Sequence, residues 1–387
     1  SMKQYLNINS VNKALREKGW SKSNLSEVLG LSRTIISDWF NSKKFPRPKH
    51  LLQLSDLLGI SYENLVTEDL SNEPVVAFRK MGNCKTQPEH VQNAKDRGWL
   101  LKPLVKYLPE DSFKLILKPR ELINISLDYD NIETTAAYIR NHCIKDVSSG
   151  PIPFSSLIRA FSDFNAVIIP ALLGDKEKHE NAVHIYLPDS KTNWIFLNLD
   201  VNVLDFKFWM AHEFTHLLMP ELSIQELEKS EDFADAVAGA ILFSKEKATS
   251  AWNRIGILSN NGLKINMIKE IAKENVISPY TVYKQVNLYL KEKGIAPLKF
   301  NIGGANKNFT RQYPTVSQLL FKDNNSAELY LKVTKEEFHS PFFDLVKKFM
   351  KEKNKNFSYL GSLLNTSPTD SKAICEALLS EEKNSTC

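Results

Sequence analysis

The chain has 387 residues, 42% hydrophobic and 25% charged, a balance that suits a globular protein of two or three domains and excludes a disordered polymer. No apolar run approaches the roughly 20 residues of a membrane helix, so a cytoplasmic protein that does not engage a membrane is expected. The net charge of +5 lies within residues 1–66, where ten Lys/Arg face five Asp/Glu and leave forty of each sign elsewhere; a polyanion partner belongs to that end.

From Val11 to Val66 apolar residues recur at helical spacing in short blocks, broken at Gly19-Trp20-Ser21, Gly30-Leu31-Ser32, Pro46-Arg47-Pro48 and Gly59-Ile60-Ser61. Four or five short helices fit, with Ser21 and Ser32 as N-caps. The stretch S-K-S-N-L-S-E-V-L-G-L-S-R-T-I-I-S-D-W-F-N-S-K-K resembles the helix-turn-helix of phage-repressor-like (XRE family) DNA-binding domains, with Leu25, Leu29, Leu31, Ile36 and Trp39 at core positions. The resemblance implies that the second helix of the motif enters the major groove. Arg33, Thr34 and Asp38 are then the candidate base readers, with Lys22, Lys43 and Lys44 at phosphates. Two positions depart from the family: Ser42 stands where glycine is common, and Asp38 is acidic on a face that meets phosphate.

Residues 71–130, with breakers at Gly82, Pro88, Gly98, Pro103 and Pro109, read as a helical linker. A helix then begins near Thr134, Gly150-Pro151 breaks the chain, and S-S-L-I-R-A-F forms a second helix. Strand-like runs follow at 166–170, 182–187 and 193–198, so an α+β domain is expected.

The next helix carries W-M-A-H-E-F-T-H-L-L-M-P, with Pro220 as its terminator. Residues four apart share a helix face, so His212 and His216 can meet one ion while Glu213, turned off that face, can reach a water as general base. In E-K-S-E-D-F-A-D-A-V-A-G-A-I-L, Glu231 and Asp235 repeat the four-residue spacing on the polar side of an apolar helix. A catalytic zinc needs three protein ligands and an open position. Glu231 completes a His₂Glu set with Zn²⁺ as cofactor, and Asp235 is placed to accept the outward N–H of a ligand histidine. Cys84, Cys143, Cys375 and Cys387 show no C-x-x-C spacing and are read as free thiols.

Together M-A-H-E-F-T-H-L-L and E-D-F-A-D-A-V-A-G-A-I-L resemble the ImmA/IrrE metallopeptidases, which carry H-E-x-x-H followed by E-x-x-A-[ND]-x-x-A. The resemblance implies a zincin-like fold and limited proteolysis of a regulatory protein, typically a helix-turn-helix repressor. No oxyanion-stabilising side chain is evident; Tyr280, Tyr283 and His184 are candidates by residue type alone.

Further on, I-S-P-Y-T-V-Y-K-Q-V-N-L-Y-L has the period of an amphipathic helix entered at Ser278-Pro279. Gly303-Gly304 reads as a turn, and the basic run at 347–356 as a solvated helix face. The expected architecture is multidomain: an all-α helix-turn-helix domain (1–70), a linker (71–130), an α+β zincin-like metallopeptidase domain (131–295) and a mainly helical or mixed extension (296–387). The expected function is a DNA-binding, zinc-dependent endopeptidase that cleaves a repressor or other regulatory protein. The alternative is a transcription regulator, of the toxin–antitoxin or phage-defence kind, whose metal domain binds a protein partner such as a toxin without cutting it. Monomer and homodimer both remain open.

Overall fold

A computed structural model describes residues 4–68, 73–80, 88–109, 124–145, 150–163, 166–171, 180–219, 227–322, 324 and 326–380. Cys84, Cys387 and Pro220 lie outside these residues. The chain divides into two compact units, Ser1–Glu73 and Pro74–Cys387.

The first unit runs β1 (Gln4–Leu6), α1 (Ile8–Glu17), α2 (Lys22–Leu29), α3 (Arg33–Phe40), α4 (Pro48–Leu58), α5 (Tyr62–Leu65) and β2 (Val66–Glu68). Short helices are marginal alone, and here side chains cap the starts of α1, α2 and α3. Ser21 Oγ accepts from Asn24 N in a capping box, and Ser32 Oγ accepts from Ile35 N. Gly30, at φ +66°, ends α2 in the left-handed conformation that glycine adopts without strain, and the chain turns into α3. Leu25, Ile36 and Trp39 are buried, and half-buried Leu29 and Leu31 pack against the same core. An antiparallel pairing of β1 with β2 closes the helical module by joining its two ends.

The second unit opens with β3 (Val75–Lys80), α6 (Pro88–Leu101) and a 3₁₀ turn at Lys102–Tyr107, then α7 (Tyr129–Tyr138), extended by a π turn over Ile139–Cys143, and α8 (Phe154–Ser162). Next come β4 (Ala166–Ala171), β5 (Glu180–Leu187), β6 (Thr192–Asn198), α9 (Val203–Leu218) and α10 (Leu227–Leu242). The four strands form one mixed sheet in the order β3-β5-β6-β4; β6 runs parallel to β4 and antiparallel to β5. Thr192 through Leu197 are buried without alternation, as expected for a strand covered on both faces.

The reading of 71–130 as a linker needs correction. Val75–Lys80 is an edge strand paired with β5 from Val75↔Tyr186 to Lys80↔Glu180, and α6 packs against both strands. Its mixed composition concealed this, because an edge strand lacks the continuous apolar run of a buried one. Gly98 permits the approach of α6: a Cβ there would collide with the Pro74 ring.

Among the described residues nine more helices complete the unit: α11 (Lys245–Ile255), α12 (Asn261–Asn275), α13 (Pro279–Glu292), α14 (Gly303–Thr310), α15 (Val316–Phe321), α16 (Ala327–Glu336), α17 (Phe342–Glu352), α18 (Phe357–Leu364) and α19 (Pro368–Ser380). Gly303-Gly304, expected as a turn, begins α14, where Asn301 Oδ1 accepts from Gly303 N. In α17 the lysines Lys348 and Lys351 are exposed over buried Phe349 and Met350, so that basic run is a solvated face.

The C-terminal helices share one apolar core with the sheet. Buried Tyr330 donates its phenol to Pro170 O of β4, and Tyr359 Oη donates to Leu100 O of α6 at 2.9 Å. The segment before α15 also braces the entry to α9. Val203 N donates to Pro314 O at 3.0 Å, Val316 N to Val201 O at 2.9 Å, and the Asn202 side chain to Thr310 O and Tyr313 O. The start of the H-E-x-x-H helix is thus anchored by residues more than 100 positions away in sequence. Among the described residues no helix is long and apolar enough to cross a membrane.

Candidate metal centre and nucleic-acid interface

Helix α9 is buried on most of its circumference, with α8 and α10 packed against it. A helix in that position has nowhere to send polar side chains except toward each other. His212 is 1% exposed and Glu213 5%.

The two histidines and Glu231 converge. His212 Nε2 and His216 Nε2 are 3.0 Å apart, Glu231 Oε2 is 3.2 Å from His212 Nε2, and Glu231 Oε1 is 3.0 Å from His216 Nε2. All three side chains offer one ligand atom within 4.8 Å of the others. Asp235, one turn beyond Glu231, takes His212 Nδ1 at 2.8 Å. That bond places the ring proton on Nδ1 and turns the Nε2 lone pair toward Glu231 and His216.

Two facing imidazole nitrogens and a carboxylate form an electron-rich cluster that requires a proton or a cation between its members. Donors about 2.0–2.1 Å from one small cation in a tetrahedral site stand roughly 3.3 Å apart, close to the separations seen. The donor set therefore fits zinc. Burial works to raise the Glu231 carboxyl, but the two imidazoles beside it outweigh this and hold it well below the usual carboxylate range.

Glu213, one residue after His212, faces His184 of β5. Burial pushes its carboxyl up, and His184, His212 and His216 together bring it below its ordinary value. Its Oε2 has no hydrogen-bond partner among the described residues, although His184 Nδ1 stands 3.4 Å away at ion-pair distance. His184 is itself fixed from β6, its Nε2 lying 2.8 Å from Asn193 Oδ1.

His184 thus faces Glu213, the candidate base. Tyr283 commits its hydroxyl to Leu298 O at 2.9 Å, and Tyr280 is 52% exposed. Of the three oxyanion candidates, Tyr283 therefore has its hydroxyl committed elsewhere. Asn193 went unrecognised in the sequence; the detectable signal was a histidine interrupting the apolar run A-V-H-I-Y-L in β5.

On the first unit, Arg33 and Thr34 are exposed at the start of α3. Lys43 and Lys44 are exposed beyond its end, and Lys22 opens α2 with its ammonium 4.5 Å from the Phe40 ring centroid. Asp38 and Lys44, assigned separate roles on bases and phosphates, are joined by a 3.0 Å ion pair. The pair neutralises the acidic residue on this face and presets the lysine. Exposed Ser37, one turn after Arg33 and bonded to Asn41 Nδ2, belongs to the same surface and was not singled out from sequence. Ser42 has φ +55°, the conformation that glycine supplies in related modules.

A helix-turn-helix family model matches residues 12–65. This identifies the first unit as an XRE-type helix-turn-helix and supports a DNA-binding transcription regulator. No curated protein matches the chain at a significant level.

Proposed function

We propose that the chain is a zinc-dependent endopeptidase of transcriptional regulation, its second unit resembling the zincin-like ImmA/IrrE metallopeptidases and its first unit directing it to DNA. The observation that supports this most is the meeting of His212 Nε2, His216 Nε2 and Glu231, with Asp235 behind His212 and the buried Glu213 carboxylate facing His184 nearby.

His212, His216 and Glu231 would hold the ion. When bound, zinc supplies Lewis acidity, lowering the pKa of water to about 7 and polarising a peptide carbonyl. Asp235 holds the His212 ring and its tautomer throughout. Glu213 Oε2 takes a proton from the attacking water and returns it to the leaving amine nitrogen as the C–N bond breaks. His184, anchored by Asn193, lies against that oxygen and limits the rotamers open to the base.

A peptide library incubated with the full-length protein and zinc, read by mass spectrometry, tests the reading. Zinc-dependent cuts are expected from the wild type, and Glu213→Gln should slow them by about 10²–10⁴-fold. Cuts of equal yield from both proteins, or none from either, would sink the peptidase reading. The second outcome favours the alternative regulator, whose metal domain binds a protein without cutting it.

A further inference from the structure

Beside the metal centre lies a cavity of about 160 Å³, which shares Asp235 with it. Its volume is below the roughly 300–1,000 Å³ of small-molecule sites and suits a single side chain. Asp205 and Asp235 supply carboxylates, Phe208 and Trp209 aromatic surface, and Gln285 and Asn306 amides.

Gln285 indicates that the cavity receives a guest. It is 3% exposed, lines the cavity, and has no hydrogen-bond partner among the described residues. An amide that faces a cavity with no protein partner is left to solvent or to a guest. The fold also makes room for it: on α10, one turn beyond Asp235, Gly239 presents a bare Cα, and a Cβ there would collide with Gln285 Nε2.

The guest is defined by charge and shape. Two carboxylates against exposed Lys284 at the rim leave a net negative lining. Asn306 Oδ1 is occupied by Tyr280 N at 3.0 Å and Asp235 Oδ1 by His212 Nδ1 at 2.8 Å, so the Gln285 carbonyl and Asp205 are the acceptors that matter. Aromatic faces favour a flat cation, and a guanidinium provides five donors in one plane.

We propose that this cavity takes an arginine side chain of the polypeptide bound at the metal centre, making Asp205 and Gln285 specificity-determining residues. The inference rests on the peptidase reading but has a separate readout. Nα-acetylarginine amide and its neutral isostere Nα-acetylcitrulline amide are titrated against the full-length protein, with binding followed by saturation-transfer NMR. Arginine amide should bind about tenfold more tightly than the citrulline compound, and both Asp205→Asn and Gln285→Leu should erase most of that preference. Asp205 is exposed, so its variant tests the idea even if Gln285→Leu fails to fold.

Equal binding of the two amides, no binding of either, or full preference in Asp205→Asn overturns the proposal. Arginine-selective binding in a protein that cuts no peptide counts against the peptidase reading alone. Peptide hydrolysis indifferent to arginine counts against the cavity alone.

Discussion

The two units carry their polar chemistry in opposite ways. In the first, Arg33, Thr34, Lys43 and Lys44 stand exposed over a core of Leu25, Ile36, Trp39 and Leu54 that does not depend on them. In the second, His212 and Glu213 are almost fully buried, and each has its orientation set by side chains on another helix or strand. Exposed groups can therefore be changed one at a time with local consequences, whereas a buried polar group alters its neighbours when removed. Beyond the loss of turnover expected for Glu213→Gln, four changes can break or sharpen that contrast.

The largest effect on stability is expected at Lys207, on α9 and only 2% exposed, whose ammonium donates to Val276 O at 2.8 Å. Burial, with Lys247 adding to it, pulls its pKa down to about 8. A lysine less basic when folded than unfolded costs stability below its folded pKa, and the cost fades as pH rises toward the unfolded value near 10.4. The metal-free second unit should thus gain stability from pH 8 to about 10.4. Lys207→Met should stabilise it by on the order of 2 kcal/mol at neutral pH, after allowing for the carbonyl left unpaired, and should flatten the pH dependence. Urea unfolding at pH 7.5 and 10 checks both points, and a destabilised variant would show that the bond to Val276 outweighs the buried charge.

Asp235→Ala comes next. Its side chain is 35% exposed, so the fold should survive, but His212 loses the acceptor that fixes its tautomer. Zinc affinity is expected to fall about 10- to 100-fold, measured by competition with a chromophoric chelator. Asp235→Asn keeps an acceptor and should recover part of the loss. Unchanged affinity in the alanine variant would mean that His212 is not a ligand through Nε2.

Parts of this site were legible in the sequence because they depend on helical period: His212 with His216, and Glu231 with Asp235, share faces whatever surrounds them. The capping serines, Ser21 and Ser32, were legible for the same local reason. What escaped depends on long-range placement. Val75–Lys80 becomes a strand because β5 offers it an edge, His184 reaches Glu213 through strand register, and Pro314 holds the start of α9 across more than 100 residues. No local pattern carries those facts. The linker reading failed at that point, since an edge strand is defined by its partner more than by its composition.

On the exposed side of the comparison, Arg33→Ala should lower affinity for DNA selected from a random pool by about tenfold, followed by fluorescence anisotropy at fixed salt. Zinc binding should not change. Loss of affinity spread evenly over all sequences would demote Arg33 from base reader to phosphate contact. A matching loss of zinc affinity would mean that the two units are energetically coupled.

The smallest effect is expected at Ser42, an exposed residue whose only unusual feature is its backbone. Its φ of +55° puts a Cβ in the left-handed region, at a cost of about 1 kcal/mol, while its N–H donates to Trp39 O at 3.2 Å to close the end of α3. Ser42→Gly removes that strain but gives the unfolded chain more freedom to lose, which takes back about half. The net gain should be roughly 0.5 kcal/mol, read as slower hydrogen exchange of the α3 amides. DNA affinity should hold, because the Asp38–Lys44 pair beyond the turn keeps its geometry. If affinity falls while α3 becomes more protected, the strained serine is setting the angle at which Lys43 and Lys44 leave the helix, and the independence of the surface groups ends at that residue.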